Sequence, residues 1–451
     1  MTERRGFATR IGVILATAGS AVGLGNVWRF PYVTGQNGGA TFILIYIGCL
    51  LLLGVPGMLS EFIIGRRGQS NAARAYHNFS GSRLWRLVGH LGILTSTIIL
   101  GFYAVVAGWC LQYLFASIVG SLSGDAQYVA DYFTSFSTNP WKPCLWGVAF
   151  VLLTHFVIVR GVQRGIERTS KILMPLLILL MLVIVVASCS LPGAWQGVTF
   201  LFKPDFSHLN HHVMLDALGQ AFFSLSLGTA CLCTYASYFS RDTHLLRAAS
   251  QIAFIDLGIA ILSGLMIFPA VFAVGVEPSQ GPSLIFVTLP NVFQQAFSTV
   301  PLLGRIIAIL FYALLVFAAL TSTISMHEIG TAYFTEELHL PRSRSAWILT
   351  TVCSVLAILC SLSVGAVESI SVLGQSLLDF CDNLTAKFML PLGGLLTSIF
   401  IGWFANQRDV REEFTNRGTV ARGLFPVYQL AVRFIVPVLI VLVFLHQFEL
   451  L

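Results

Sequence analysis

Residues 19–32 read GSAVGLGNVWRFPY and follow the apolar run IGVILATA, which alone would continue as a membrane helix. Three glycines fall within residues 19–25, and Asn26 and Arg29 come next, where hydrocarbon would surround the chain. Glycine permits irregular backbone, and such backbone survives at membrane depth only where it is buried in protein or lines a cavity. The stretch therefore predicts a membrane helix that is interrupted near its middle.

Close helix packing is the competing interpretation of these glycines. Gly19 and Gly23 have the spacing at which small residues let two membrane helices approach, and this spacing more often marks packing than a site. Packing does not explain Asn26 or Arg29, and an ionisable residue inside a membrane is a candidate functional residue by default. We therefore interpret the stretch as part of a site.

The composition is that of an all-α integral membrane protein. The chain has 451 residues, of which 56% are hydrophobic and 10% are charged, whereas soluble domains carry about 25% charged residues. The net charge of +6 comes from basic residues in short loops, so it does not indicate a nucleic-acid partner. The nine cysteines lack zinc-site spacing and are expected to pack between helices.

Hydropathy predicts eleven membrane helices, each of 17 residues or more, which is long enough to span a bilayer. Most of the 26 Lys and Arg residues fall in alternate loops, which places the N-terminus in the cytoplasm and the C-terminus outside. The predicted spans are 9–34, 41–65, 88–119, 144–160, 166–190, 213–239, 246–275, 303–335, 345–363, 368–404 and 424–446.

A second interruption, FFSLSLGT at 222–229, lies in the sixth predicted helix. Broken helices in corresponding positions of two inverted repeats are typical of secondary transporters. We therefore expect a single transporter domain over 1–451, with helices 1–5 (9–190) and helices 6–10 (213–404) as the repeats. The eleventh helix (424–446) is an addition to them.

Three segments, ATRIGVILATAGSAVGLGNVWRFPY, GQAFFSLSLG and FAALTSTIS, resemble the signatures of helices 1, 6 and 8 in the neurotransmitter:sodium symporters. The resemblance extends from about residue 7 to residue 446 and is strongest to bacterial amino-acid members with eleven helices. It implies a multi-pass transporter of the bacterial inner membrane that imports an amino acid with sodium by alternating access. Its partners would be the substrate and the lipid bilayer, with no obligatory protein partner and no enzymatic activity.

The resemblance implies two Na⁺ sites built from hard oxygen ligands. The first would combine the Ala21 carbonyl with three side chains, which are those of Asn26, Ser224 and Asp256. The second would combine three carbonyls with two hydroxyls, and its residues are Gly19, Val22, Ala318, Thr321 and Ser322.

Asp256 bears on the chloride requirement. It is the one ionisable residue between Arg247 and Glu277, and a buried pair with a base is the alternative role. Many relatives have Asn here and use chloride to balance the sodium charge, which a carboxylate supplies by itself. We therefore predict transport that needs no chloride.

Gly23 bears on the substrate, because monoamine-transporting relatives place an Asp there. Its absence implies that the substrate brings its own carboxylate, as an α-amino acid does. The carboxylate would meet the first Na⁺, the amides of Gly23 to Gly25 and the Tyr103 hydroxyl. The ammonium would meet carbonyls near Phe223 and Ser226 and the hydroxyl of Ser322.

The implied side-chain pocket is mainly apolar and favours a neutral aliphatic or aromatic side chain. Thr229, smaller than its counterpart in some relatives, leaves room for a larger or a polar group. The pocket residues are Ser20, Ile99, Phe223, Thr229, Ala319, Ser325 and Met326.

Two gates are implied by the same resemblance. Arg29 would pair with Asp382 through Gln220 as the outer gate, with Asp379 as the competing partner, and Phe223 and Tyr103 would form an aromatic lid. The inner gate would pair Arg4 with Glu336 near Tyr238, with Phe7 where relatives usually have Trp.

Two further positions have structural expectations. Glu61 is expected to bond the freed backbone of helix 6. Gly165 and Pro175 open helix 5, where Gly loosens a helix and Pro removes a backbone donor. They either form a harmless kink or let the segment unwind to admit water to the second sodium site.

Rival functions must explain the same residues. A proton-coupled amino-acid permease or antiporter of the same architecture is the nearest alternative, but it typically has a Lys or Arg in place of the second sodium site. A membrane-embedded hydrolase lacks a histidine at a depth that matches Ser224 or Ser322. A channel would need pore-lining rings formed by symmetry, on which the sequence is silent.

Overall fold

The computed structural model describes residues 6–275, 284–367 and 369–448. These residues form a bundle of helices, together with one two-stranded antiparallel hairpin, β1 (Ser371–Val372) and β2 (Gln375–Ser376). In chain order the helices are α1 Arg10–Ala21, α2 Gly25–Gln36, α3 Ala40–Gly68, α4 Ala72–Ser80, α5 Arg86–Val119, α6 Ala126–Ser137, α7 Lys142–Val159, α8 Val162–Cys189, α9 Ala194–Phe202, α10 His211–Ser224, α11 Cys231–Ala236, α12 Leu245–Ala273, α13 Thr288–Ala296, α14 Pro301–Glu337, α15 Arg342–Leu362, α16 Leu377–Phe404, α17 Gln407–Phe414 and α18 Arg422–Gln447.

Within the described residues, nine single helices are long and apolar enough to cross a membrane, or ten spans if α1 and α2 are counted as one bent span. The two short helices α10 and α11 occupy the sixth predicted span. The protein is thus a multi-pass helical membrane protein. The bounds of most predicted spans agree with those of the observed helices to within a few residues.

The first helix is interrupted inside the glycine-rich stretch. Helix α1 begins at the Thr9 cap, whose hydroxyl accepts a hydrogen bond from the Gly12 amide at 3.0 Å. It ends at Ala21, because Val22 has extended backbone angles. The chain resumes as α2 at Gly25 with a bend of 54°. The last carbonyls of α1 are thereby left without partners in the helix.

The second interruption separates α10 from α11. Helix α10 ends at Ser224, and Ser226, Gly228 and Ala230 have φ angles of +53°, +83° and +61° before α11 begins. Left-handed backbone disfavours residues with a Cβ, and it persists where the surrounding structure holds it. Gly228 has no such penalty, and a Cβ there would collide with the Leu390 carbonyl.

Both interruptions are enclosed by the bundle. Helix α1 packs against α8, α12 and α14, and α14 packs along the length of α5. Helices α10 and α11 both pack on the segment Ala40–Gly68. Irregular backbone therefore lies within protein and not against lipid, as its unpaired polar groups require.

Small residues set how closely the long helices approach. Gly108 on α5 faces Gly147 on α7, and a Cβ added at Gly108 would lie 2.6 Å from the Gly147 nitrogen. Gly48 on α3 is the contrasting case, because a Cβ there would meet nothing within 4 Å.

We expect Gly108→Ala to lower the thermal stability of the purified protein, whereas Gly48→Ala leaves it unchanged or raises it. Overpacking a tight contact costs about 1–3 kcal/mol, while Ala in open space merely favours the helix. Thermal unfolding of the two variants in the same detergent measures the difference. Equal stability of the two variants would contradict the packing described here.

Candidate functional site

A buried polar contact joins four helices at Asp256. The Asn26 amide nitrogen donates to Asp256 Oδ1 at 2.7 Å, and the Ser224 hydroxyl lies 2.9 Å and 3.0 Å from the two carboxylate oxygens. The Tyr46 hydroxyl donates to Asp256 Oδ2 at 3.0 Å. Asn26 and Asp256 are completely buried. The structure thus brings together three predicted ligands of the first sodium site, together with Tyr46, which sequence reasoning missed.

Ala21, the fourth predicted ligand, is the final residue of α1. Its carbonyl is therefore among those that the helix end leaves free. Asn26 Oδ1 also accepts from the Gly23 amide at 3.2 Å, so the break in the first helix is tied to the Asp256 contact.

The residues predicted for the second sodium site also converge. The Thr321 hydroxyl lies 2.9 Å from the Ala318 carbonyl and 3.4 Å from the Val22 carbonyl. The Ser322 hydroxyl lies 3.3 Å from the same Val22 oxygen. Gly19 adjoins them, since a Cβ there would lie 3.4 Å from Thr321 Cβ. Carbonyl and hydroxyl oxygens of this kind suit a hard cation.

In residues 6–275, 284–367 and 369–448, no three His, Cys, Asp or Glu side chains are grouped to hold a metal ion. A site for Na⁺ needs no such group, because carbonyls and hydroxyls are sufficient ligands.

A cavity of about 80 Å³ opens beside these two clusters. Its lining includes every predicted substrate-binding residue except Ala319, which is fully buried and does not reach the cavity. Sequence reasoning missed five lining residues, which are Leu24, Phe102, Cys231, Thr385 and Leu390. Phe102 follows Ile99 by three residues, and Thr385 follows Asp382 by three, so helical periodicity around those predicted residues would have found these two.

Gly23 cannot be replaced without moving its neighbours. A Cβ at Gly23 would collide with the Ser322 hydroxyl and lie 3.2 Å from the Tyr103 hydroxyl. A Cβ at Gly25 would lie 3.2 Å from the Phe223 ring. The Tyr103 oxygen accepts a hydrogen bond from the Leu24 amide at 3.2 Å. This end of the cavity is thus closed around bare backbone and the Tyr103 hydroxyl.

The predicted outer-gate residues lie near one another without direct pairing. The Arg29 guanidinium sits 4.4 Å above the centre of the Phe223 ring, a cation–π geometry. Asp382 lines the cavity, but among the described residues no ion pair joins it to Arg29. Gln220 donates to the Gly25 carbonyl at 3.4 Å, close to the limit of a hydrogen bond.

Asp379, the competing partner for Arg29, has another contact. Its carboxylate accepts a hydrogen bond from the Ser376 hydroxyl at 2.6 Å, and that hydroxyl oxygen accepts from the Asp379 amide at 3.1 Å. The pair caps the start of α16. Asp379 is accordingly placed as a helix-capping residue, which favours Asp382 for the gate.

At the opposite end of the bundle, the hydroxyl of Tyr238 donates to Glu328 at 2.6 Å. Arg342 donates to the same carboxylate at 3.0 Å. Sequence reasoning missed this buried group, although Glu328 lies at membrane depth in the eighth predicted helix and carries that signal. We call the end of the bundle that carries Arg342 the basic end.

The predicted inner gate is only partly described. Arg4 lies outside the described residues. Glu336 accepts hydrogen bonds from the Asn71 amide at 2.6 Å and from its side chain at 3.0 Å, and Glu336 and Tyr238 line one cavity at the basic end. Phe7 packs edge-on against Tyr238, with ring centres 6.0 Å apart.

Glu61 makes the contact expected of it. Its two carboxylate oxygens accept hydrogen bonds from the amides of Gly228 at 2.8 Å and Cys233 at 3.2 Å. Both amides belong to the break between α10 and α11 or to the first turn after it. Glu61 therefore stabilises backbone that has no helical partner, which confirms the structural role predicted for it.

Glu167 ties the beginning of the first helix to the beginning of α8. Its carboxylate, 2% exposed, accepts hydrogen bonds from the Ala8 amide at 2.7 Å and the Thr9 hydroxyl at 2.8 Å. It also pairs with Lys171 at 2.6 Å. A Cβ at Gly12 would collide with this carboxylate. These contacts of Glu167 were not predicted, because Ala8 and Thr9 are far from Glu167 in the sequence.

Gly165 and Pro175 lie on either side of Glu167 in the sequence. Gly165 sits in a wide helical turn over Val162–Glu167, where a Cβ would collide with the Val157 carbonyl, and Pro175 lies inside the regular helix. Whether the segment unwinds stays a prediction.

Comparisons with known proteins place this geometry in context. The model of the sodium:neurotransmitter symporter family matches residues 4–137 and 138–450. An uncharacterized sodium-dependent transporter of Bacillus subtilis, YhdH, is 40% identical over 98% of this chain and 97% of its own. An uncharacterized sodium-dependent transporter of Haemophilus influenzae is 31% identical over 99% of this chain and 98% of its own. The crystal structure of MhsT in complex with L-phenylalanine is similar, with a TM-score of 0.88 and 42% identity, and covers 98% of this chain and 100% of MhsT.

We expect Glu167→Gln to speed hydrogen exchange at residues 8–12 by roughly tenfold or more. The amide loses the ion pair with Lys171 and can accept at one atom only, and a hydrogen bond to a charged group contributes about 1.5–3 kcal/mol. Hydrogen exchange with mass spectrometry measures the change.

Asp409→Asn is the matched control, because Asp409 pairs with the exposed Arg67 at 2.9 Å. The control removes one carboxylate charge without touching the start of α1. Similar exchange at residues 8–12 in the two variants would show that Glu167 does not hold this segment.

Proposed function

Because the chain belongs to the sodium:neurotransmitter symporter family and is a sodium-dependent transporter rather than an enzyme, we propose that it imports a neutral, hydrophobic or aromatic L-amino acid. The inward sodium gradient would drive this import. The cargo of this chain is inferred from the cavity described above and not from its relatives alone.

The observation that carries the proposal is the fit around Gly23. A side chain at Gly23 would need the Ser322 hydroxyl to move, and the acidic side chain that monoamine-transporting relatives place there is absent. A bound amino acid would place its carboxylate against this backbone. The Tyr103 hydroxyl and the nearby amides would be the protein groups that donate hydrogen bonds to that carboxylate. An amine without a carboxylate would lack the group that is proposed to accept hydrogen bonds from these donors.

The remaining walls favour a neutral side chain. Ile99, Phe102, Phe223 and Met326 give apolar surface to the cavity. Asp382, the acidic residue that reaches the cavity, faces Arg29 as the proposed gate. A charged substrate side chain would lose hydration against these walls without gaining an opposite charge.

Two Na⁺ ions are proposed, one at Asp256 and one at Thr321. The Asp256 carboxylate is held by three uncharged donors, so its charge is not neutralised by a basic side chain in direct contact. A sodium ion beside it would supply that neutralisation. For this reason we propose that chloride is not required.

We propose eleven spans, with α10 and α11 together forming the sixth. The repeats would be 9–190 and 213–404, with 424–446 added. The basic end would face the cytoplasm of the bacterial inner membrane, since Lys and Arg are retained on that side. This orientation puts the N-terminus inside and the C-terminus outside.

Alternating access would then follow from the two ends of the cavity. Sodium biases the protein toward the outward state only if it binds that state more tightly. Substrate would draw Arg29 and Phe223 over the cavity and close the gate with Asp382. Release to the cytoplasm would require the contacts of Glu167 and Glu328 near the basic end to open.

We expect proteoliposomes with an inward sodium gradient to accumulate a radiolabelled neutral amino acid, identified by competition with the twenty common amino acids. Replacing sodium by choline should abolish uptake, and replacing chloride by gluconate should leave it unchanged. Uptake driven by an inward proton gradient without sodium would instead support the proton-coupled permease. Loss of uptake in gluconate would overturn the chloride proposal.

We expect Thr321→Ala to raise the sodium concentration needed for half-maximal uptake by roughly tenfold, because a buried site loses one oxygen ligand. Thr323→Ala is the matched control, since that hydroxyl lies 2.8 Å from Thr154 on α7, away from Val22. The sodium dependence of initial uptake rates measures both. An equal shift in the two variants would argue against a sodium site at Thr321.

A further inference from the structure

One part of the cavity wall is polar, although the rest is mainly apolar. Ser20, Thr229, Cys231 and Ser325 all line it, and the Cys231 thiol lies beside the hydroxyls of Ser20 and Ser325. We call these four residues the polar cluster. It belongs to α1, α11, α14 and the break before α11.

Each of the three hydroxyls in the polar cluster already donates a hydrogen bond within the protein. Ser20, Thr229 and Ser325 each donate to the backbone carbonyl three residues earlier, in each case at 2.7 Å. A hydroxyl carries one proton and two acceptor lone pairs. What these three side chains can still offer to a ligand is therefore lone pairs.

The remaining contacts of the cluster leave this conclusion unchanged. The Thr229 oxygen accepts from the Cys231 amide at 3.1 Å, so one of its lone pairs is occupied and one is free. The Cys231 thiol is a weak donor, and the two serine oxygens beside it can accept its proton. The cluster as a whole is short of strong donors and has acceptors to spare.

The other end of the cavity differs from the polar cluster. The Tyr103 hydroxyl there accepts from the Leu24 amide and lies beside the Ser322 side chain. The Ser226 hydroxyl makes no hydrogen bond within the described part of the chain. A free hydroxyl donor therefore remains at the end where the amino and carboxylate groups are proposed to bind, and acceptors remain at the polar cluster.

The two ends are about one helical turn apart. Ser325 follows Ser322 by three residues on α14, which on a helix corresponds to roughly 4.5 Å along the axis. Ser20 precedes Gly23 by three residues, across the end of α1 at Ala21. Both offsets run toward the basic end. A substrate held by its carboxylate at Gly23 would thus extend its side chain toward the polar cluster.

We infer that this transporter selects neutral amino acids whose side chain has an apolar body and ends in an N–H or O–H donor, an indole or a phenol in preference to a phenyl group. The inference rests on the proposed function. Ile99, Phe102 and Met326 contact the apolar body, and the free lone pairs of Ser20, Thr229 and Ser325 accept from the donor. A phenyl ring would desolvate these oxygens without replacing their hydrogen bonds.

The expected preference is modest, because a neutral hydrogen bond adds roughly a twofold to tenfold factor in affinity. Competition against sodium-dependent uptake in proteoliposomes measures it with two matched pairs. Tyrosine is compared with phenylalanine, and tryptophan with its 1-methyl derivative, which lacks the indole N–H. At least one donor-bearing member should compete more tightly than its partner by that factor.

Ser325→Ala and Ser20→Ala test the origin of the preference, because each removes one acceptor. We expect the affinity ratio within the preferred pair to fall toward one in both variants. Ser117→Ala is the matched control. This buried serine also donates to a carbonyl of its own helix at 2.7 Å, and it does not line the cavity.

The outcomes separate this inference from the function on which it rests. Sodium-dependent uptake with equal affinities in both pairs, or a ratio that Ser117→Ala lowers as much as Ser325→Ala does, would overturn the inference alone. Absence of sodium-dependent uptake for all twenty amino acids would overturn the proposed function and the inference with it.

Discussion

The hydrogen bonds of Asp256 are the contact on which the rest of the site depends. They join α2, α3, α10 and α12, and two of the donors, Asn26 and Ser224, stand beside the two helix breaks. A carboxylate buried without a basic partner is costly unless its oxygens are hydrogen-bonded. The hydrogen bonds that Asn26 and Ser224 donate to Asp256 therefore fix the positions of the two interrupted helices relative to each other.

The breaks themselves are stable because their backbone groups have found other partners. Glu61 accepts from two amides of the second break, and the Tyr103 oxygen and the Asn26 side chain accept from amides of the first. The last carbonyls of α1 have no partner within the helix. Carbonyl oxygens suit a hard cation, so the proposed sodium sites would depend on the interruption of the helix.

The two ends of the cavity are closed in different ways. Toward Arg29 the contacts are long, since a guanidinium over the Phe223 ring and a Gln220 hydrogen bond of 3.4 Å are weaker than an ion pair. Toward the basic end the carboxylates of Glu167 and Glu328 each have several short contacts. The structure is therefore held more firmly at the basic end than at the Arg29 end.

The sequence by itself determined the helical class, the positions of the two breaks and most of the residues around them. These follow from local patterns, because hydropathy, glycine content and an ionisable residue at membrane depth need no knowledge of distant partners. Only the tertiary structure decided that Tyr238 bonds Glu328, that Glu167 holds the start of α1 and that Ala319 does not reach the cavity. It also decided which carbonyls the hydroxyls of Ser20 and Ser325 bond. Those facts depend on how helices far apart in the chain pack, and no local pattern contains that information.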